Sequence, residues 1–176
     1  MRFWVGIIPP KKIYKKIIKL QKNISEKYST YHAIESRIGP HITLTYQENV
    51  KSKNLKKIEK TIDKISKETR QFKIRIEGIG RFNKFNVIYA RSLKTKELIN
   101  LQKKISFSIN RFGRTRALRK YTPHITLIDV DIARENFKRA FKEIEKDFYY
   151  EFIVDRIYVG KSRARIKVYK SFKLKF

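Results

Sequence analysis

Two identical pentapeptides carry most of the chemistry that this sequence offers. Residues 40–44, with the sequence PHITL, reappear unchanged as residues 123–127, so two of the three histidines lie in the repeat. An internal repeat indicates duplicated structural units. We therefore treat His41, Thr43, His124 and Thr126 as the parts of one candidate site.

The repeat reads as a strand with one apolar face. Residues two apart in a strand project from the same side, so His41 and Thr43 point together, while Ile42 and Leu44 point the other way into the core. The second copy has the same pattern. Each copy then offers one imidazole and one hydroxyl, and we expect the two copies to face each other across a cleft.

Two imidazoles around one phosphate suit acid–base chemistry. Phosphodiester cleavage needs a base for the attacking water and an acid for the departing oxygen. Histidine, with an ordinary pKa of about 6.5, serves in both roles near neutral pH without a metal. The hydroxyls of Thr43 and Thr126 would donate to the phosphate oxygens, where negative charge collects.

Two other interpretations of the histidines stay open. Each one could be a packed or capping residue, which a single motif would favour, although the duplication argues against it. The pair could also bind zinc together with a carboxylate such as Glu48 or Asp129. His32 is far from both motifs in sequence and is expected to be an ordinary strand or surface residue.

The composition points to a polyanionic partner. Lys and Arg number 44 against 16 Asp and Glu, a formal net charge of +28, and there is no cysteine. Such an excess attracts phosphates at long range. Nucleic acid is favoured over an acidic membrane surface, because no segment combines a long apolar face with a basic face as an interfacial helix would. The absence of cysteine excludes disulfides, thiolate metal sites and a cysteine nucleophile.

The length of 176 residues predicts a single domain spanning residues 1–176. The apolar run at the N-terminus is too short for a signal peptide, and no stretch is long enough to span a bilayer. We expect a monomeric cytoplasmic protein with no membrane partner.

The periodicity predicts an α+β fold. Helical stripes are formed by Ile13, Ile17, Leu20 and Ile24; by Leu55, Ile58, Ile62 and Ile65; by Leu98, Leu101, Ile105 and Ile109; and by Phe137, Phe141 and Ile144. Strands are predicted at residues 3–8 and 72–76, with residues 86–91 as a hairpin partner. A second hairpin is predicted near the C-terminus, with its turn near Gly160 and Lys161. The order indicates two similar lobes with largely antiparallel sheets.

The paired His-x-Thr motifs, the opening FWVGIIP strand, the helix after it and the motif spacing resemble the 2H phosphoesterase superfamily, in particular the RNA 2′,3′-cyclic phosphodiesterases, also called 2′-5′ RNA ligases. The resemblance implies a bilobal, pseudo-symmetric fold in which two antiparallel sheets line a central cleft, with helices outside. It implies metal-free hydrolysis of RNA 2′,3′-cyclic phosphate ends to 2′-phosphates, without a cofactor. The His of the first motif commonly serves as acid in that family, and the second as base.

One departure from the family concerns the cation at the phosphate. Many members follow the second motif with a small residue and an arginine, whereas here Leu127 is followed by Ile128 and Asp129. We expect the cation to come from the loop before the second motif or from the last hairpin. The candidates are Arg114, Arg116, Arg119 and Lys120 in the loop, of which Arg119 and Lys120 are preferred, and Lys161, Arg163 and Arg165 in the hairpin. Tyr46 and Tyr121 flank the motifs and could stack on a base, although strand tyrosines more often belong to the core.

The leading hypothesis is therefore an RNA-end cyclic phosphodiesterase. A second enzymatic interpretation keeps the site but assigns a 2′-5′-linked oligonucleotide or a small cyclic nucleotide as substrate. A third, from another class, is a non-catalytic RNA-binding module.

Overall fold

The computed structural model describes residues 1–36, 38–115, 121–144, 148–162 and 165–176. Within them the helices are α1 (Lys11–Tyr28), α2 (His32–Glu35), α3 (Leu55–Glu68), α4 (Lys96–Ile109) and α5 (Arg134–Glu143). The strands are β1 (Arg2–Ile7), β2 (Ile42–Glu48), β3 (Phe72–Phe82), β4 (Val87–Ser92), β5 (Arg114–Thr115), β6 (His124–Ile128), β7 (Tyr149–Val154), β8 (Arg156–Ser162) and β9 (Lys167–Lys173). No helix in these ranges is long and apolar enough to cross a membrane.

The strands form two antiparallel sheets, as predicted. The first sheet has the order β5-β2-β1-β8-β9 and the second has the order β6-β4-β3-β7. The first motif lies on β2 and the second on β6. Each sheet contains strands from both halves of the chain, because β8 pairs with β1 in the first sheet while β7 pairs with β3 in the second.

The four predicted helical stripes are confirmed as α1, α3, α4 and α5. Most of their apolar residues are buried in one core together with one face of each sheet, and Ile13, Leu20, Leu55 and Phe141 are partly buried against it. The side chain of Gln47, buried on β2, donates to the carbonyl of Ile109 at the end of α4 over 2.7 Å. The helices therefore cover one face of the sheets and leave the other face, with the motif histidines, open.

The predicted C-terminal turn near Gly160 and Lys161 is wrong. Both residues lie inside β8 (Arg156–Ser162), and both pair with residues of β9 (Lys167–Lys173). A Cβ atom on Gly160 would lie 2.7 Å from Ile166 Cγ2, so the glycine permits a close approach within the sheet. The strand before it, β7, belongs to the second sheet and is not part of this hairpin.

The segment before the first motif contains the short helix α2, which the periodicity did not predict. His32 begins this helix and is exposed, which confirms a surface residue and corrects the strand alternative. Asp131, which follows β6, holds the segment in place. Its carboxylate accepts hydrogen bonds from the backbone N–H of Tyr31, from that of His32 at 3.1 Å and from the Thr30 hydroxyl at 2.6 Å.

We predict that Asp131→Ala destabilises the protein at neutral pH by about 1 kcal/mol, the usual size of a lost capping interaction. Burial opposes ionisation of Asp131, but the hydrogen bonds from Thr30, His32 and Tyr31 outweigh it and lower its pKa from the ordinary 3.8. The stabilisation by the charged form is present above that value and is lost as the pH falls. The deficit in the free energy of unfolding, measured by urea denaturation, should therefore shrink below about pH 4.

The matched control is Asp63→Ala, because the Asp63 carboxylate forms an exposed ion pair with Lys67 on α3. That pair should contribute less than about 0.5 kcal/mol. Equal losses in the two variants would contradict the role given to Asp131.

Candidate active site

The two motif histidines are held in the same way. His41 stands just before β2, and its Nδ1 lies 2.7 Å from the carbonyl oxygen of Gly39. His124 begins β6, and its Nδ1 lies 2.7 Å from the carbonyl oxygen of Thr122. A carbonyl only accepts hydrogen bonds, so each Nδ1 carries the proton and donates it. In the neutral ring, Nε2 is then the nitrogen left to take up a proton.

Aromatic side chains fix the orientation of both rings. The Trp4 ring contacts the His41 ring edge-on, with centroids 5.1 Å apart and an interplanar angle of 86°. His124 contacts Phe82 at 5.2 Å and Tyr89 at 5.0 Å. Trp4 lies on β1, which neighbours β2. Tyr89 lies on β4, which neighbours β6, and Phe82 lies on β3, one strand further from β6. No sequence pattern indicated that they support the histidines.

Thr43 has a partner that fixes the direction of its hydroxyl. The indole N–H of Trp4 donates to Thr43 Oγ1 over 3.0 Å, which uses a lone pair of the oxygen and leaves the hydroxyl hydrogen for another acceptor. Trp4 lies over Gly6, where a Cβ atom would come within 2.2 Å of the indole. Gly6 pairs with Thr43 across β1 and β2, so the glycine makes room for the tryptophan.

The alternation predicted for the motifs is observed. Ile42 and Leu44 are fully buried, whereas His41 and Thr43 are half-buried on the opposite face, and the second motif has the same pattern. Thr126 pairs with Tyr89 across β6 and β4. Because paired residues project from the same face of a sheet, Thr126 lies on the face that carries His124.

Two contacts join the second motif to the rest of the site. The Tyr121 hydroxyl donates to the backbone carbonyl of Thr43 over 3.1 Å. The buried Gln21 on α1 donates to the carbonyl of Thr126 over 2.8 Å. Burial raises the pKa of Tyr121, so its hydroxyl remains a neutral donor. Tyr121 therefore connects the segment before the second motif with the strand β2, which carries the first motif.

The histidines are electrostatically coupled. Burial lowers the pKa of His41 from its ordinary 6.5; the hydrogen bond to Gly39 opposes that shift, and the charge of His124 adds to it. Burial also lowers the pKa of His124, against the hydrogen bond to Thr122. The charge of Asp129 raises the pKa of both rings. The two histidines and Asp129 thus belong to one electrostatic environment.

The other predicted contact residues are distributed differently. Tyr46 lies half-buried on β2 opposite Trp4 and on the same face. Arg119 and Lys120 lie outside the described residues, as do Arg116 and Arg163. Arg114 pairs with Glu48 at the end of β2.

In the last hairpin, Lys161 pairs with Phe3, whose side chain belongs to the core. Lys161 therefore lies on the face away from the motifs. Arg165 lines a cavity of about 510 Å³ together with Arg2, His32 and Asp129. Of the cations expected in this hairpin, Arg165 is the one that the described residues bring near Asp129.

The open alternative of a zinc site requires a third ligand. Among the described residues, no group of three or more His, Cys, Asp or Glu side chains is arranged to hold a metal ion.

Known proteins resemble this chain over most of its length. The family model described as "2'-5' RNA ligase superfamily" matches residues 9–165, a range that contains both motifs. A Bacillus cytotoxicus relative with the name "Putative phosphoesterase" is 29% identical over 160 residues, which cover 90% of this chain and 87% of the relative. A Bacillus mycoides relative, also described as a "Putative phosphoesterase", is 28% identical over 161 residues, which cover 90% of this chain and 87% of the relative.

Solved structures share the fold at low sequence identity. Escherichia coli LigT in complex with 3′-AMP has a TM-score of 0.72 and 17% identity, with 99% of this chain and 98% of that chain covered. The protein TT0787 of Thermus thermophilus has a TM-score of 0.74 and 16% identity over the same shares. The bilobal α+β architecture with two antiparallel sheets and flanking helices is thus the 2H phosphoesterase fold. Since the family model spans most of the chain and both His-x-Thr motifs, the chain belongs to the 2′-5′ RNA ligase superfamily, the 2H phosphoesterases.

Proposed function

We propose that this phosphoesterase hydrolyses RNA 2′,3′-cyclic phosphate ends to 2′-phosphates by metal-independent acid–base catalysis with His41 and His124. The observation that carries the proposal is the matched anchoring of the two rings. Each donates Nδ1–H to the carbonyl two residues earlier, so both have Nε2 available for a proton. Ligation to a 2′-5′ bond would use the same attack on phosphorus, with an RNA 5′-hydroxyl in place of water and the same release of O3′.

In the proposed reaction, one histidine takes a proton from water while the water oxygen forms a bond to phosphorus. The bond between phosphorus and O3′ breaks, and the other histidine gives its proton to O3′. The product carries a 2′-phosphate and a free 3′-hydroxyl. We assign His124 as the base and His41 as the acid, the roles that the family resemblance implies.

The threonines are proposed to bind the non-bridging oxygens. The hydrogen of the Thr43 hydroxyl is free to donate, because Trp4 already donates to its oxygen. A preset donor stabilises the five-coordinate phosphorus without reorganisation during the reaction. Trp4 is therefore proposed as a positioning residue for Thr43 and His41.

An RNA substrate is supported by charge and by the comparison with LigT. The net charge of +28 favours a long polyanion. The E. coli LigT structures described as complexes with 3′-AMP, NADP+ and ATP support a nucleotide ligand in the same fold. Tyr46 and Tyr121 remain proposed as base contacts, and Arg119 and Lys120 as phosphate contacts.

We predict that His41→Ala and His124→Ala each lower kcat by at least about 100-fold, the contribution of a general acid or base. The assay contains EDTA and an oligoribonucleotide with a 2′,3′-cyclic phosphate end. Chromatography then identifies whether the terminal phosphate of the product is on the 2′ or the 3′ oxygen. His32→Ala is the control, because His32 is exposed on α2. Full activity in either motif variant would refute the proposal. If the protein hydrolyses only 2′-5′-linked oligonucleotides or small cyclic nucleotides, the proposed RNA substrate is wrong and one of these is the substrate instead.

A substrate with an aryl leaving group separates the two roles, because that group departs without a proton. With such a phosphodiester, His41→Ala should keep most of its activity and His124→Ala should not. The opposite result would exchange the assigned acid and base.

The pH profile should be bell-shaped, with its maximum on the acidic side of 6.5. In the free protein, burial lowers the pKa of both rings from 6.5, and kcat/KM reports the groups of the free enzyme. Asp129→Asn removes a charge that raises both pKa values, so both limbs should move to lower pH. Asp155→Asn, in which an exposed carboxylate paired with Arg156 is changed, should leave the profile in place. An unchanged profile in Asp129→Asn would show that this charge does not act on the pair.

Trp4→Phe keeps an aromatic ring against His41 but removes the N–H that donates to Thr43. We expect kcat to fall about five- to tenfold, the equivalent of one neutral hydrogen bond, with KM nearly unchanged. Tyr89→Phe, which keeps the ring that contacts His124, is the control. A loss confined to thermal stability, with kcat unchanged, would make Trp4 a purely structural residue.

A further inference from the structure

Arg91 lies beside His124 on the face that carries the motif. The two residues pair directly across the antiparallel strands β4 and β6. Paired residues in such sheets project from the same face, and Arg91 is exposed. The register thus places a cation at the open face of the second sheet, next to a proposed catalytic ring.

Among the residues that the structure describes, no carboxylate forms a salt bridge with Arg91. Its Nη2 donates to the backbone carbonyl of Ile79 over 3.2 Å, which fixes the guanidinium and leaves other N–H groups for a ligand. The remaining cations that β3 places on this face, Lys73 and Arg75, both form ion pairs with Glu151. In the described residues, Arg91 is the cation on this face without a carboxylate within salt-bridge distance.

The direction of the Arg91 side chain separates it from the reacting phosphate. Ile79 belongs to β3, and the order β6-β4-β3 places that strand two positions away from His124. Strands lie about 4.8 Å apart, so the anchored guanidinium is displaced by about one to two strand widths from β6. The first sheet, which carries His41, lies on the other side of β6, because β6 contacts β2. A phosphate between the two histidines is therefore on the side of β6 away from this guanidinium.

We propose that Arg91 binds the phosphodiester group next to the cyclic phosphate, so that the protein distinguishes an oligoribonucleotide from a mononucleotide. The inference rests on the proposed function, because it uses a cyclic phosphate held between His41 and His124. An arginine suits this task, since its planar fork of N–H donors fits two phosphate oxygens at once. A 2′,3′-cyclic mononucleotide has no such neighbouring phosphate and makes no contact with Arg91.

The kinetic test compares kcat/KM for a 2′,3′-cyclic mononucleotide and for a short oligoribonucleotide with the same cyclic terminal nucleotide. Arg91→Gln should lower the value for the oligonucleotide about tenfold, as expected for one charge-assisted contact, and leave the mononucleotide within about twofold. Arg91→Lys, which keeps the charge, should restore part of the loss. Arg134→Gln on α5 is the control, because it removes one positive charge from a helix that packs on the core side.

A binding measurement reads the same contact without catalysis. Fluorescence anisotropy follows an oligoribonucleotide that ends in a 2′-phosphate, over a range of salt concentrations. Loss of one phosphate contact lowers the slope of log K against log salt by about 0.7 for a single strand. Arg91→Gln should show this change, whereas Arg91→Lys and Arg134→Gln should keep the slope of the unmodified protein.

Equal losses on both substrates would overturn the proposal, because Arg91 would then act on the reacting phosphate. Identical behaviour of Arg91→Gln and Arg134→Gln would also overturn it. If the unmodified protein hydrolyses neither substrate, the proposed function fails, and the salt slope alone then decides whether Arg91 contacts the nucleic-acid backbone.

Discussion

The hydrogen bond from each motif histidine to the carbonyl two residues before it is the constraint on which the site depends. It fixes the proton on Nδ1 and so leaves Nε2 as the nitrogen of both rings that can take up a further proton. For His41 the carbonyl belongs to Gly39, whose positive φ of 68° is a conformation that glycine adopts without steric cost. A Cβ atom there would also overlap the hydroxyl of Tyr14. The backbone before the strand is therefore shaped for the ring that follows it.

The two rings belong to different sheets, so their relative position depends on how the sheets are joined. Tyr121, two residues before the second motif, donates to the backbone of the first motif, and Gln21 on α1 donates to the backbone of the second. The exchange of strands between the halves adds to this, because each sheet is completed by strands from the other half of the chain. Displacing one sheet relative to the other would strain the chain segments that connect them and the contact between Tyr121 and the Thr43 backbone, and this constrains the relative position of the two imidazoles.

Local and global electrostatics act in different ways on this protein. The chain as a whole carries a net charge of +28, which attracts a polyanion over a distance set by the salt concentration. Around the histidines, burial disfavours the protonated rings, while Asp129 favours them. A carboxylate in an otherwise basic protein thus favours protonation of the two rings that we propose as acid and base. In that proposal the global charge attracts the ligand, and the local charges adjust the pKa values of the two histidines.

The sequence by itself determined the features that depend on neighbours along the chain. The repeated PHITL motif identified the residues of the candidate site, because alternation in a strand is a local property. The helical stripes predicted four helices for the same reason. The buried and open faces of β2 and β6 followed from the alternation of polar and apolar residues in the motif. The misplaced turn at Gly160 shows the limit, since that glycine makes room for Ile166 across the hairpin.

Only the tertiary structure decided which distant residues meet. The N–H of Trp4 finds Thr43 because β1 pairs with β2 in one register, and Arg91 stands beside His124 because β4 pairs with β6 in another. A shift of one residue in either pairing would turn these side chains to the opposite face. Register is set by packing and pairing across the whole sheet, and the pattern within a single segment does not contain that information.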